Sequence, residues 1–301
     1  MMQIAGSVDF GGTKLMVGLV NQRGEVLARD TVPTPRDGGP AVVAETAAGL
    51  LRGLAQRQGV ALDQLVGVGA TVPGLADSRA GILRYAPAHG WRDVPFAQML
   101  VDRLQLPVRI ANDVNACALA EQRFGAGRGV ANLLWLTIST GIGGGLVLNG
   151  QMYEGSGGVA GEVGHLVVEE GGPQCGCGHH GCLEAVAAGP AIARRARDLG
   201  LSVDDAREVA VAARNGDPVA VQVMIDTATY LGRAIAFCWN LLDPDMVVLG
   251  GGVAQSLELM LPVILTVMQE RTILLPERPP RIAKTELGYE AALIGAAALV
   301  L

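Results

Sequence analysis

Aromatic side chains make up only 4% of this sequence, and its arginines and lysines form no concentrated basic stripe. Proteins that bind nucleic acids stack bases on aromatic rings or attract the phosphate backbone with clustered basic residues. The formal net charge of -6 points in the same direction. We therefore expect no nucleic-acid partner.

Long apolar runs are also missing, since no stretch approaches the roughly 18 consecutive apolar residues of a membrane span. The chain starts at Met1 and enters a strand-like run at once, without the basic and apolar regions of a signal peptide. These absences predict a cytoplasmic protein with no membrane partner. Hydrophobic residues make up 50% of the 301 residues, which predicts a well-buried core and leaves room for about two domains.

Cysteines are few and unevenly placed. Of five cysteines, three lie close together, at Cys175, Cys177 and Cys182. In a cytosolic protein such crowding indicates metal binding rather than disulfides. Cys117 and Cys238 lie in helical patterns among Ala and Leu, so we interpret them as small core residues.

The order of the predicted elements partly repeats along the chain. Residues 4–10 and 15–20 predict two strands around a glycine-rich turn, and residues 133–138 and 145–148 predict a second such pair. The remaining predicted strands are 26–32, 65–72, 108–111, 246–249 and 281–285, with one near Met152. The predicted helices are 41–58, 96–104, 112–121, 184–197, 203–214 and 218–242, one between 252 and 281, and a closing one from Ala291.

Two glycine turns at equivalent places suggest a duplicated α/β unit. This pattern is typical of the two-domain actin-like (ribonuclease-H-like) ATPase fold, an α/β fold with a ligand cleft between its domains. We predict a smaller N-terminal domain of residues 1–115, completed by the closing helix at 288–301. The larger domain, residues 116–287, carries the cysteine-rich segment as a metal-binding insertion.

The first glycine turn, Asp9-Phe10-Gly11-Gly12-Thr13-Lys14, has the composition of a phosphate loop. Glycine lacks a Cβ and tolerates positive φ, so backbone N–H groups can approach a phosphate closely. Thr13 adds a hydroxyl donor, Lys14 adds a cation, and Asp9 offers a carboxylate for Mg²⁺. The alternative is a hairpin that needs glycines only for its turn.

The second turn, Thr140-Gly141-Ile142-Gly143-Gly144-Gly145, follows Ser139 and again joins two strands, which strengthens the phosphate interpretation of both. A third stretch, Gly250-Gly251-Gly252, ends a buried strand, where an adenine or ribose could lie against the backbone. A tight strand-to-helix turn is its alternative. Neither of the first two turns is a Walker A motif or a dinucleotide fingerprint. Together the three stretches favour ATP over a dinucleotide.

Asn112-Asp113 stands where an apolar strand ends and a helix begins. Both residue types are favoured helix N-caps, so capping alone could explain them. The functional interpretation is that Asp113 accepts the proton of a sugar hydroxyl, because phosphoryl transfer needs positioning, charge neutralisation and a base. Asn112 would then hydrogen-bond the same sugar.

The segment from Glu162 to Glu184 is the most specific feature of the sequence. His165 and the three clustered cysteines form a Cys₃His set typical of structural zinc, in which four protein ligands leave no position for a substrate. His179 or His180 could replace His165 as the fourth ligand, and unligated thiols on a flexible loop are the remaining alternative. The flanking Glu162 and Glu184 offer carboxylates to sugar hydroxyls, or are ordinary exposed acids.

Together these motifs resemble the ROK family of sugar kinases and related repressors, over essentially the whole chain. The resemblance implies an ATP-dependent kinase in which Asp113 is the base toward a hexose hydroxyl, usually at C6. It also implies a homodimer or homotetramer, and it favours His165 over His179 and His180 as the zinc ligand. The sugar contacts that it implies are Gly74, Asn112, Asp113, Glu162, His165 and Glu184.

The chain departs from the family pattern at Ala86-Pro87-Ala88-His89, where such kinases often carry Asn after Ala-Pro. The missing amide removes a sugar contact that His89 could replace. The following run, Gly90 to Pro95, is similar to glucokinases. Glucose is therefore the first predicted substrate, and an N-acyl hexosamine such as N-acetylglucosamine or N-acetylmannosamine is the second.

Two other classes of protein compete with the kinase. A sugar-sensing repressor of this family would carry an N-terminal helix-turn-helix, and we expect no room for one before a first strand that begins near Gln3. A non-catalytic sugar-binding protein would bind a sugar without releasing ADP. The intact glycine loops and Asp113 favour the kinase.

Overall fold

Each of two units in the molecule begins with a β-hairpin around a glycine-rich turn. The computed structural model describes residues 2–301. The first unit runs to Gly129 and adds Gln151–Ala160 and Leu287–Leu301. The second unit consists of Val130–Gly150 and Gly161–Glu286.

The first unit contains a five-stranded sheet and a smaller three-stranded sheet. The large sheet has the order β3-β2-β1-β4-β8, with β1–β2 and β2–β3 antiparallel and β1–β4 and β4–β8 parallel. The small antiparallel sheet has the order β5-β6-β7. Its strands are β1 (Ile4–Phe10), β2 (Lys14–Asn21), β3 (Val26–Pro33), β4 (Leu65–Val72), β5 (Leu75–Asp77), β6 (Ile82–Ala86), β7 (Trp91–Val94) and β8 (Val108–Asn112). Its helices are α1 (Gly39–Arg57), α2 (Phe96–Leu104), α3 (Asp113–Phe124) and the closing α9 (Ala291–Ala298).

Close packing of α9 on the sheet and on α3 builds one side of the first unit. A Cβ at Gly69 in β4 would lie 1.7 Å from the carbonyl oxygen of Ala296 in α9. A Cβ at Gly295 would lie 2.4 Å from the carbonyl oxygen of Ala116 in α3. These glycines therefore allow α9 to lie directly on β4 and α3. Helix α3 follows β8 without a loop, so its N-terminus lies at the end of that strand.

The second unit repeats the strand order of the first. Its strands β9 and β10 are antiparallel, like β1 and β2. The pairs β9–β12 and β12–β13 are parallel, like β1–β4 and β4–β8. The strands are β9 (Leu133–Ile138), β10 (Ile142–Leu148), β12 (Met246–Gly250) and β13 (Ile282–Lys284), and the short β11 (Gln151–Met152) belongs to the first unit. The helices are α4 (Leu183–Ala187), α5 (Gly189–Asp198), α6 (Ala206–Arg214), α7 (Pro218–Leu242) and α8 (Leu257–Arg271).

Three local differences separate these elements from the sequence expectation. The helix predicted over 184–197 is two helices, because the backbone is extended at Ala188 and α5 begins anew at Gly189, with Pro190 in its first turn. Helix α6 begins at Ala206, where the Asp205 side chain accepts hydrogen bonds from two backbone N–H groups. Strand β10 begins at Ile142 rather than at Gly145, so the second glycine turn is shorter than expected.

The described residues include no helix that combines the length and the apolar character needed to cross a bilayer.

Candidate active site

The first glycine turn is held in a fixed shape by the end of β3. The Gly11 N–H donates to the Lys14 carbonyl oxygen at 3.0 Å, which closes the turn. The buried Thr34 donates its hydroxyl to the Gly11 carbonyl at 2.7 Å and its N–H to the Thr13 carbonyl at 3.1 Å. Gly12, Thr13 and Lys14 are exposed, and no described atom lies within 4 Å of a Cβ built on Gly12. The backbone at Gly12 is therefore open to a ligand.

Asp9 and Asp113 are two partly buried acids of the first unit. Asp9 Oδ1 accepts a hydrogen bond from the Thr71 hydroxyl at 2.7 Å, and burial raises the pKa of Asp9. Burial, and then the charge of Asp9, raise the pKa of Asp113 to about 6. Two like charges near each other resist ionisation, so one carboxyl is kept poised close to neutral pH. A group with such a pKa can accept and return a proton.

Asn112 caps helix α3 and also holds the turn at Gly74. Its Oδ1 accepts from the N–H groups of Val114 and Asn115 at 2.9 and 3.2 Å. Its Nδ2 donates to the Gly74 carbonyl oxygen at 2.9 Å. Gly74 has a φ of 87° and a Cβ there would lie 2.3 Å from the Tyr85 carbonyl, so only glycine fits this turn. Asn112 is therefore the N-cap of α3, as the capping interpretation predicted.

His89 lies in an aromatic cluster of the first unit. Its ring centroid is 5.2 Å from that of Phe10 and 4.8 Å from that of Trp91. Its Nδ1 is buried and has no hydrogen-bond partner within residues 2–301. The His89 side chain is therefore packed against rings, with one ring nitrogen left unpaired.

In the second unit the turn between β9 and β10 consists of Ser139, Thr140 and Gly141. The Ser139 N–H donates to the Gly141 carbonyl oxygen at 2.9 Å, and the side chains of Ser139 and Thr140 are exposed. Gly143 lies in β10, opposite Thr137 of β9, and not in the turn. The hydroxyls and N–H groups of the turn are the donors that an anion can reach.

The third glycine stretch packs below this turn. Gly251 has a φ of 85°, and a Cβ there would lie 2.4 Å from the carbonyl oxygen of Ile138. The next residue, Gly252, has a helical φ of -65°, is exposed, and has no described atom within 4 Å of its Cβ position. One glycine is thus needed for packing, whereas its neighbour leaves open space.

A cavity of about 770 Å³ opens beside these glycines, entirely within the second unit. Sequence reasoning found Thr140 and Gly252 at its rim but missed the helices that complete it. No short motif marks such residues, because they come from separate helices. They include Pro190, Ile192 and Arg197 from α5, Arg207, Val211 and Arg214 from α6, Met224 from α7, and Gln255 and Ser256 after β12.

The side chains of His165, Cys175, Cys177 and Cys182 converge in the second unit, with their ligand atoms all within 4.8 Å of one another. The Cys177 and Cys182 sulfurs are 3.7 Å apart, and the Cys175 sulfur is 3.7 Å from His165 Nδ1. Bonds of about 2.3 Å to a tetrahedral zinc ion require sulfur–sulfur separations near 3.8 Å. The residues therefore fit such an ion. His179 Nδ1 lies 3.5 Å from the Cys177 sulfur but outside this four-atom set, and His180 is exposed.

The two flanking glutamates differ in environment. Glu162 is exposed, with Oε2 3.9 Å from His165 Nε2. Glu184 is partly buried, and its Oε2 accepts a hydrogen bond from the Ile142 N–H at 3.0 Å. Its Oε1 lies 3.9 Å from the Cys175 sulfur. No local pattern of residues predicts the contact between Glu184 and β10.

The repeated sheet order and the glycine turns define a two-domain α/β protein of the actin-like class. The chain belongs to the ROK family, whose model matches residues 5–301. It is 35% identical to a glucokinase of Halalkalibacterium halodurans over 97% of this chain and 93% of that protein. It is 34% identical to an N-acetylmannosamine kinase of Escherichia coli over 82% of each.

Solved structures agree with this placement. A ROK hexokinase from Thermus thermophilus superposes with a TM-score of 0.83 at 39% identity, covering 99% of this chain and 97% of that one. A ROK glucokinase from Streptomyces griseus, solved with glucose and AMPPNP, gives 0.77 at 34% identity and covers 99% of both chains. A ROK transcriptional regulator homologous to the Escherichia coli MLC protein gives 0.89 at 28% identity, over 99% of this chain and 77% of that one. The family and the fold class predicted from the sequence are confirmed.

Proposed function

We propose that this protein is an ATP-dependent sugar kinase that transfers the γ-phosphate to a hexose hydroxyl, with C6 of glucose as the first candidate. The observation that carries the proposal is the partly buried Asp113 carboxyl at the N-terminus of α3, whose pKa is raised to about 6 by burial and by the charge of Asp9. The relatives named as glucokinases support it, as does the Streptomyces griseus glucokinase solved with glucose and AMPPNP.

Asp113 would act as the general base. Its ionised carboxylate accepts the proton of the sugar hydroxyl as that oxygen attacks the γ-phosphorus and the bond to the leaving ADP oxygen breaks. Placement at the N-terminus of α3 keeps the carboxylate fixed, because Oδ1 accepts from the Val114 N–H at 3.0 Å. Mg²⁺, when bound, neutralises phosphate charge, and Asp9 is the carboxylate offered to it.

Proposed nucleotide contacts occur in each unit. In the first unit these are Gly11, Gly12, Thr13 and Lys14, with backbone N–H groups, a hydroxyl and an ammonium for phosphate oxygens. In the second unit they are Thr140, Gly141 and Gly143, with Gly251 and Gly252 at the nucleoside. The 770 Å³ cavity beside Gly252 has the size and the apolar lining of a nucleoside site.

The proposed sugar ligands are Gly74, Asn112, Asp113, Glu162, His165 and Glu184. Glucose is preferred because the run after His89 is similar to glucokinases. An N-acyl hexosamine is the second candidate, favoured by the N-acetylmannosamine kinase relative and by the missing Asn after Ala86-Pro87.

A structural zinc ion is proposed at His165, Cys175, Cys177 and Cys182. Four protein ligands fill a tetrahedral site, so the ion would hold the loop and take no part in the chemistry. The segment it holds carries Glu162 and Glu184.

A coupled assay of ADP release with ATP, Mg²⁺ and a panel of hexoses and N-acyl hexosamines tests the proposal. We expect the highest kcat/KM with glucose. Sugar binding without ADP release would indicate a non-catalytic, sugar-responsive regulator instead. The domain ranges 1–115 with 288–301 and 116–287, the dimeric or tetrameric state and the cytoplasmic location stay predictions.

A further inference from the structure

We propose that Glu184 positions the second glycine turn for nucleotide binding, in addition to the sugar contact proposed for it; this inference rests on the proposed kinase function. The Glu184 Oε2 atom accepts the Ile142 N–H at 3.0 Å. Ile142 is the first residue of β10, directly after the turn of Ser139, Thr140 and Gly141. A hydrogen bond from a backbone N–H to an ionised carboxylate is about twice as strong as a neutral one.

The identity of Gly141 fits the same contact. A Cβ at Gly141 would lie 2.5 Å from Glu184 Oε2. The carboxylate thus lies against the turn itself, and a side chain at position 141 would have to displace it. Glycine at this position leaves the carboxylate in place.

The other end of the turn is held from the same segment. The Gly189 N–H, which starts α5, donates to the Ser139 carbonyl oxygen at 2.8 Å. Residues 184 and 189 therefore hold the two ends of the turn.

The turn beside His165 contacts the other backbone group of Ile142, its carbonyl. A Cβ at Gly164 would lie 2.0 Å from the Ile142 carbonyl oxygen. Ile142 is therefore contacted through its N–H by the residue two positions after Cys182, and at its carbonyl by the residue before His165. The chain on both sides of the Cys₃His cluster fixes the start of β10.

A positioning residue differs from a sugar ligand in what its loss changes. A sugar ligand alone affects sugar affinity and leaves nucleotide binding untouched. Loss of the Glu184–Ile142 bond leaves the buried Ile142 N–H without its acceptor and releases the turn that carries Thr140. The expected cost is about tenfold in nucleotide affinity, the size of one charge-assisted hydrogen bond.

The test is calorimetric binding of ADP in the absence of sugar. We expect Glu184→Ala to bind ADP about tenfold more weakly than the wild type. Glu184→Gln, whose amide oxygen still accepts the Ile142 N–H in a neutral hydrogen bond, should bind only about threefold more weakly. Both variants should raise the sugar KM. Glu162→Gln is the matched control, because Glu162 does not contact the turn, and it should raise the sugar KM alone.

Wild-type ADP affinity in Glu184→Ala, with a raised sugar KM, would overturn the inference and leave the kinase function intact. If Glu184→Ala fails to fold, Glu184→Asp is used for the same ADP-binding measurement, since its carboxylate is one methylene too short to reach Ile142. Folded Glu184→Asp with wild-type ADP affinity would equally overturn the inference. Absence of sugar phosphorylation by the wild type would refute the proposed function, an outcome separate from these.

Discussion

The charge of Asp113 gives the most direct test of the proposed chemistry. Burial, with a further contribution from the charge of Asp9, raises its pKa from 3.8 to about 6. A base must be ionised to accept a proton, so kcat/KM should fall about tenfold for each pH unit below this pKa and level off above it. Asp113→Asn cannot accept the proton, and we expect it to lose at least about 100-fold in kcat.

The same pKa makes a second, independent prediction about stability. An acid whose pKa is raised on folding holds its proton more tightly in the folded state, so the free energy of unfolding falls as pH rises from 3.8 to about 6. At about 1.4 kcal/mol per pKa unit, the stability lost above this range is up to about 3 kcal/mol. Asparagine carries no charge, and its oxygen can still accept the Val114 N–H. Asp113→Asn should therefore be inactive but more stable than the wild type at about pH 8, by up to about 3 kcal/mol.

Denaturant unfolding near pH 8 and near pH 4, together with a pH profile of the coupled assay, measures both effects. Most of the gain in stability should disappear near pH 4, where the folded wild-type carboxyl is protonated and the unfolded one, with a pKa of 3.8, is close to its midpoint. Asp63→Asn, at an exposed position of the same unit, makes the same charge change and should show neither effect. Wild-type turnover in Asp113→Asn would refute the role as base, and equal stabilities near pH 8 would refute the buried, ionised carboxylate.

Two further variants probe the groups around these sites. Asp9→Asn removes the charge that helps to raise the pKa of Asp113, so that pKa, followed by NMR titration, should fall below about 6. An unchanged pKa would show that the charge of Asp9 does not act on Asp113. Cys177→Ser should lower zinc content from about one ion per chain, lower the melting temperature and raise the sugar KM, because a structural zinc contributes folding free energy. Active, unchelated wild-type protein without zinc would contradict the metal assignment.

The agreement between sequence and fold is best where strong local signals flank a buried element. Strand β4 and helices α2 and α7 have the bounds expected from the sequence, since Pro73, Pro95 and the Asp217 cap mark their ends. The small sheet of β5, β6 and β7 was not expected. Strands of three to five residues are too short to show a period, and only their pairing identifies them.

The candidate site shows the same limit. Sequence motifs predicted residues that lie together in one segment, such as Asp113 beside Asn112 and the four converging side chains near Cys182. The bond from Glu184 to Ile142 spans 42 residues of sequence, and the helices around the large cavity are equally far from the glycine turns. Such contacts depend on how α4, α5 and α6 pack, which no local pattern of residue types specifies.

Gly251 and Gly252 were both predicted from the sequence to contact the nucleotide, but their backbone conformations and surroundings differ in the structure. Gly251 and Gly252 are adjacent, yet only Gly251 has a positive φ and a carbonyl oxygen 2.4 Å from its Cβ position. Gly251→Ala should therefore cost at least about 1–2 kcal/mol of stability from the left-handed backbone alone, before the clash with Ile138 is counted. At Gly252 the backbone is helical and the Cβ position faces open space, so Gly252→Ala should fold at least as well as the wild type. Because that open space borders the 770 Å³ cavity, Gly252→Ala should instead weaken ADP binding in calorimetry. Normal ADP affinity in Gly252→Ala would show that the nucleoside does not lie against this glycine. Unchanged thermal stability in Gly251→Ala would show that the close contact with Ile138 relaxes without cost.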